Sequence, residues 1–319
     1  MAAPENPDQE SKWLEDLPKA ISCGMTLRLW KGFWLPEPGM NALRRMDAHF
    51  LPLPDDILVT SFPRTGTTWL MALTYAILHR RSQLRKTHDG ENIDLNDDDP
   101  LLTQNPHELI LSLEYRLYRE SANLDLEHPF SSPRIFQTHL SYTQLSVSVK
   151  QSGCRIIYIA RNPKDTLVSF WHYWNTNPRR PNVSLGELFD AFCKGTVVHG
   201  DFHDHVLDYW KERDKVFFIT YEELTEDPFK HVKRLAEFLG YSLTSEEVKG
   251  IVWRCSFQRL STAEGNNGGR VDYFGFPFSS YFRKGKMGDW KNHLTPEMVE
   301  MLDEITQRKL MGTGLELSS

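Results

Sequence analysis

The chain has 319 residues, and 37 Lys and Arg against 43 Asp and Glu leave a net charge of −6. That balance excludes a general nucleic-acid binder, which needs a cationic excess, but leaves room for a local basic pocket. Apolar residues at 40% suffice for a substantial core, and no run approaches the roughly 20 apolar residues of a membrane span.

The first residues, MAAPENPDQESKWLEDL, are polar and acidic. They lack the basic and apolar regions of a signal peptide and the Arg-rich character of a transit peptide, so a cytoplasmic protein is expected. Residues 1–15 read as a loose tail and 16–319 as a single domain. The four cysteines, Cys23, Cys154, Cys193 and Cys255, form no CxxC pair. Neither a zinc site nor a disulfide framework is indicated, and a reducing compartment fits best.

Apolar β-rich runs predict strands at 57–61, 134–138, 155–160 and 216–220. Helical patterns fall at 68–80, 107–119, 163–176, 184–194, 202–213, 228–239, 244–253 and 296–309. Residues 89–100 read as an acidic, solvated loop. Residues 263–280 read as a flexible, aromatic-tipped loop. Strands alternating with helices predict an α/β fold with a central, mostly parallel β-sheet flanked by helices. Such sheets bind ligands at the carboxyl ends of their strands.

Three turns carry the chemistry. The first, TSFPRTGTTW at 60–69, follows a strand and opens a helix. Thr65, Gly66, Thr67 and Thr68 would present backbone N–H groups at a helix start, where the dipole favours an anion. Arg64 and the threonine hydroxyls add donors, so the turn is P-loop-like. It lacks the GxxxxGK[ST] spacing of an ATP loop, and its bland alternative is a threonine helix cap. The second turn, RIIYIARNPKDTLVS at 155–169, places Arg161 at a strand end and Ser169 two turns into the next helix. The third, YFRKGKMGDWKN at 281–292, sets Arg283 and Lys284 beside Gly285, a residue that admits close backbone approach. Taken singly, the second and third are more simply surface basic residues.

Together, and in this order and spacing, TSFPRTGTTW, RNPKDTLVSFWHY and RKGKMGDWKN resemble the signatures of the soluble, PAPS-dependent sulfotransferases. The likeness runs from about Gly32 to Asp303, and GFWLP with LTPEM most resembles plant members. The resemblance implies transfer of a sulfonate from 3′-phosphoadenosine-5′-phosphosulfate (PAPS) to a hydroxyl of a small apolar metabolite, with PAP as product and no metal. By similarity, residues 64–69 (Arg64, Thr65, Gly66, Thr67, Thr68, Trp69) cradle the 5′-phosphosulfate. Arg161, Ser169, Arg283, Lys284 and Gly285 hold the 3′-phosphate. Trp69, Tyr221 and Phe257 flank the adenine, and Cys255 and Ser256 adjoin them.

His139 in RIFQTHLSY matches the family's base, an imidazole able to take a proton near neutrality. The family usually has Lys where this chain has Arg64, which keeps the charge but is planar and forked. Gln137 stands where many animal members carry Lys. Candidate acceptor-lining residues are Trp30, Trp34, Tyr142, Phe170 and Trp171, with Phe274, Phe276 and Phe278 from a loop expected to act as a lid. The animal dimerisation pattern is broken: Lys291, Thr295 and Glu300 align, but Pro296 replaces Val, which implies a monomer or weak homodimer. Two other readings remain open on the residues: an ATP-dependent small-molecule kinase, and a catalytically weak PAPS-binding protein.

Overall fold

A computed structural model describes residues 7–80, 85–86, 92–93, 99–119 and 133–317. The central sheet has five parallel strands in the spatial order Phe217–Thr220, Arg155–Ala160, Ile57–Ser61, Ile135–Thr138, Leu111–Ser112. Ile57–Ser61 is buried throughout. Alternate side chains supply two cores: Leu58, Phe136, Ile156 and Tyr158 face one, Ile57, Val59, Ile135, Ile157 and Ile159 the other. Burial on both faces is what continuous apolar runs without polar alternation require.

Helix Thr67–Leu78 leaves the carboxyl end of Ile57–Ser61, and helix Pro163–Trp174 leaves that of Arg155–Ala160. Both therefore begin on one edge of the sheet. Pro163 occupies the first helical turn of the second, where its missing N–H costs nothing, and the Asn162 side chain accepts from the N–H groups of Lys164 and Asp165. A separate antiparallel meander, Lys19–Ser22, Met25–Trp30 and Phe33–Pro36, precedes the main sheet.

The predicted strands and most helices coincide with the observed ones. Two segments differ. The expected helix at 107–119 divides into a short turn Pro106–Leu109, the edge strand Leu111–Ser112 and a π-helical turn Leu113–Leu117. Asn105 and Glu108 close a capping box around the first turn, and backbone pairing with Ile135–Thr138 then wins over helical propensity. Residues 7–15, expected to belong to a loose tail, are not irregular. Pro7–Asp16 is helical, Trp13 and Leu14 pack on the core, and Arg44 lies 5.6 Å from the Trp13 ring. Residues 1–6, 89–91 and 94–98, the last two within the expected acidic loop, lie outside the described residues.

Candidate active site

The turn after Ile57–Ser61 is tight. Gly66 has φ +116°, and a Cβ there would come within 2.9 Å of Ile159 and Tyr221. Arg64 also has a positive φ, +72°, a strain of about 1–3 kcal/mol for a residue with a side chain. The buried Thr65 hydroxyl lies 2.8 Å from the carbonyl of Phe62 and 2.9 Å from that of Ile159. Its side chain is thus spent on holding the turn, and only its backbone remains for a ligand. Ser61 and Thr67 hydroxyls meet at 2.6 Å, and Thr68 Oγ1 meets His107 Nε2 at 2.9 Å.

One cavity of about 580 Å³ opens above these strand ends. From the first turn it is lined by Arg64, Gly66, Thr67, Thr68 and Trp69; from the second, by Arg161 and Ser169. Arg283, Lys284 and Gly285 close it from the third, and Tyr221, Cys255 and Phe257 form a further wall. His139 lines the same space. Of the residues predicted for the nucleotide, Thr65 is buried behind the turn and Ser256 caps helix Phe257–Thr262, its Oγ accepting from the Arg259 N–H.

The positive charges converge. The Arg161 guanidinium lies 4.4 Å from the Tyr221 ring and donates to the carbonyl of Lys286 at 3.1 Å. Arg283 and Lys284 donate to opposite oxygens of Asp289 at 2.5 and 2.6 Å. Asp165 accepts from the N–H groups of Gly288 and Trp290, tying the third turn to helix Pro163–Trp174. A Cβ on Gly285, φ +61°, would overlap Phe257 at 2.3 Å, so only glycine lets the two segments meet.

Arg64 reaches across to Ser169, where Nε donates to Oγ at 3.3 Å, and to the carbonyl of Ser280 at 3.1 Å. Its guanidinium lies 4.4 Å from the Tyr173 ring. Burial lowers its pKa to about 10, which leaves it charged at neutral pH. Nε of Arg161 and Nε of Arg283 are buried with no hydrogen-bond partner among the described residues. Unsatisfied guanidinium donors on a cationic wall fit an anionic ligand there.

His139 follows Ile135–Thr138. Its Nδ1 lies 2.9 Å from the Ser61 carbonyl, an acceptor only, so Nδ1 carries the proton and Nε2 keeps the lone pair. Burial lowers its pKa to about 4, the Ser61 contact opposing and Arg64 adding to the fall. The ring is neutral at pH 7. The His139 N–H donates to Glu114 Oε1 at 2.8 Å, and Glu114 Oε2 is buried without a partner among the described residues. Burial raises the Glu114 carboxyl to about 7. His205 Nε2 donates to the His139 carbonyl at 3.0 Å, while its Nδ1 and the Tyr158 hydroxyl lie 2.9 Å apart.

The far end of the cavity is aromatic. Phe170, Phe274, Phe276 and Phe278 line it as expected, joined by Tyr115, Tyr173 and Tyr281. Trp30, Trp34, Tyr142 and Trp171 do not. Trp171 Nε1 donates to the Val183 carbonyl, and Tyr142 packs edge-on against Tyr209. The 263–280 loop is anchored rather than free. Asp272 accepts from the N–H groups of Phe274 and Phe276 and from the Tyr281 hydroxyl at 2.8, 2.9 and 2.6 Å. Phe276 stacks on Tyr173 at 4.1 Å.

Glu114, Tyr115, His107 and Asp272 also line this space, and no motif in the sequence marks them. Only His107 has a local signal, the Asn105-Pro106 turn that presents it.

A parallel sheet with a P-loop-like turn and cations gathered at its strand ends defines an anion-binding α/β enzyme. Residues 54–314 match the sulfotransferase domain family. "Cytosolic sulfotransferase 8" of Arabidopsis thaliana is 42% identical, covering 97% of this chain and 93% of its own. A crystal structure of an Arabidopsis thaliana sulphotransferase is 30% identical with a TM-score of 0.74, covering 100% of both chains. Mouse sulfotransferase SULT7A1 complexed with PAP is 30% identical with a TM-score of 0.67, over 90% of this chain and 94% of that one. The chain belongs to the PAPS-dependent sulfotransferase family and is an enzyme of the plant cytosolic type. No helix of the described residues is long and apolar enough to cross a membrane.

Proposed function

We propose that the protein moves a sulfonate group from PAPS to a hydroxyl of a small, largely apolar plant metabolite in the cytoplasm, with His139 as base. The carrying observation is the single cavity that holds the cations of all three turns and the unprotonated Nε2 side of His139. PAPS, when bound, supplies the activated sulfonate. Arg161, Ser169, Arg283 and Lys284 would hold its 3′-phosphate, and the two orphaned guanidinium nitrogens support that assignment. The N–H groups at Thr65–Thr68 would hold the phosphosulfate, with Trp69, Tyr221 and Phe257 about the adenine and Cys255 and Ser256 beside it.

His139 Nε2 accepts the proton of the acceptor hydroxyl, and the Ser61 carbonyl holds the ring in the tautomer that allows it. Arg64 stabilises negative charge developing on the leaving oxygen. Its forked donors are already oriented by Ser169, Ser280 and the Tyr173 face. The acceptor lies among Phe170, Phe274, Phe276 and Phe278. The chain acts as a monomer or weak dimer: Thr295 Oγ1 caps helix Pro296–Leu310, and Pro296 removes a backbone donor from the segment animal relatives use.

Calorimetry with adenosine 3′,5′-bisphosphate and ATP, followed by radiolabelled PAPS against a panel of hydroxylated plant metabolites, tests this. Bisphosphate binding far tighter than ATP, with transfer to at least one acceptor, is expected. Preference for ATP, or donor binding with no transfer to any acceptor, would overturn it.

A further inference from the structure

Behind Arg283 and Lys284, outside the cavity wall, three side chains meet. His172 stands on helix Pro163–Trp174, one turn past Ser169, while Asp289 and His293 flank the turn Asp289–Asn292. His172 Nε2 and His293 Nε2 lie 3.4 Å apart, and His293 Nε2 lies 3.4 Å from Asp289 Oδ2. One ligand atom from each of the three falls within 4.8 Å of the others. Between two ring nitrogens, 3.4 Å is long for a hydrogen bond. A tetrahedral ion with bonds of about 2.0–2.1 Å sets its ligands about 3.3–3.4 Å apart, so two edges already have that length.

We propose that His172, Asp289 and His293 bind a divalent transition-metal ion of the zinc class, which staples the Arg283-Lys284-Gly285 segment to the helix bearing Ser169. Two imidazoles and a carboxylate suit zinc better than magnesium or calcium, which favour oxygen ligands. No spacing in the sequence signals the site, because its two histidines are 121 positions apart.

The cations beside the site set its linkage. Asp289 Oδ2 accepts from Arg283, and Oδ1 from Lys284 and Asn292, but a carboxylate has about four lone-pair positions and retains capacity. Arg283 and Lys284 oppose a metal ion by charge repulsion. A phosphate drawn to those two residues would offset that repulsion. Metal affinity therefore rises when adenosine 3′,5′-bisphosphate is bound, and bisphosphate affinity rises equally when metal is bound. This coupling rests on the nucleotide reading above; the metal site does not.

The test uses the full chain stripped with chelator and titrated with cobalt(II) and zinc(II), with magnesium as control. Expected are the visible absorption of four-coordinate cobalt, its displacement by zinc, and no response to magnesium. His172→Ala and His293→Ala should each weaken uptake by at least about tenfold. X-ray absorption on the zinc-loaded wild type should show two imidazole nitrogens per zinc, a readout independent of how the variants fold. No uptake, or uptake by wild type and both variants alike, or zinc without two imidazoles, overturns the site. Bisphosphate affinity unchanged by zinc overturns the coupling. Failure to bind bisphosphate at all overturns the nucleotide reading instead, and the cobalt spectrum still decides the metal site.

Discussion

The two ends of the cavity are built differently. At the end proposed for the phosphates, the cations and turn residues lie in three short stretches, 64–69, 161–169 and 283–285, and Tyr221, Cys255 and Phe257 complete the wall. At the acceptor end, lining residues come from 36–45, 112–119, 170–180, 198–199 and 272–282, and no stretch supplies more than part of the wall. A phosphate is held by backbone N–H groups and cations, which one turn can supply whole. An apolar acceptor is held by shape, which needs side chains from many elements. The phosphate end should therefore fail sharply on single changes, and the acceptor end gradually.

The largest effects should fall where the two ends meet. His139→Ala should lower kcat by about 10²–10⁴-fold while bisphosphate affinity, read by calorimetry, stays within a few-fold. Equal loss of both would show that His139 is structural. Arg64→Ala should abolish measurable turnover, whereas Arg64→Lys should keep or raise it, because Lys restores a mobile point charge at the leaving oxygen. An active Arg64→Ala enzyme would remove Arg64 from the chemistry.

Next comes the purely phosphate-side change. Arg283→Ala should weaken bisphosphate binding by roughly 1.5–3 kcal/mol, about 10–100-fold, the worth of a charged hydrogen bond. AMP, which lacks the 3′-phosphate, should lose little. If AMP binding falls as much, Arg283 does not face the 3′ end. At the acceptor end, Phe276→Leu should raise the acceptor KM a few-fold with kcat nearly unchanged, since it removes uniform binding surface. A matching fall in kcat would mean that Phe276 instead supports Arg64 through Tyr173.

The smallest effects are on pH. With His139 lowered to about 4, its ring is already neutral throughout the physiological range, as the proposed base must be. The acid limb of kcat/KM should lie well below pH 6, and an acid limb near 6.5 would contradict the burial of this ring. Glu114 behaves oppositely. Its carboxyl rises from an ordinary 4.5 to about 7 because it is buried. The fold thus favours the protonated form, and the associated stability is complete below pH 4.5 and lost as pH rises through 7. Glu114→Gln should remove that component, so wild-type Tm should fall relative to the variant between pH 4.5 and 7. Parallel curves would show that Glu114 is already ionised.

Much of the fold was readable from local pattern. The four predicted strands are runs of apolar, mostly β-branched or aromatic residues, and sheet burial on both faces demands such runs. The edge strand Leu111–Ser112 has no sequence signal because two residues carry no period, and pairing with Ile135–Thr138 displaces the helix predicted across it. Four of the eight predicted acceptor aromatics, Trp30, Trp34, Tyr142 and Trp171, pack elsewhere. An aromatic side chain satisfies core and pocket equally well, so residue type could not choose between them.

The sequence by itself determined the turns: where strands end, which residues offer donors there, and which glycines let backbone approach a ligand. Those properties depend on neighbours a few positions away, so contiguous residues suffice. Tertiary structure alone decided that Glu114 underlies His139, that Asp289 gathers Arg283 and Lys284 beside two histidines, and that Asp272 pins the aromatic loop. His139 needs Ser61 and Glu114 from separate strand ends, and only folding brings such positions within hydrogen-bonding distance.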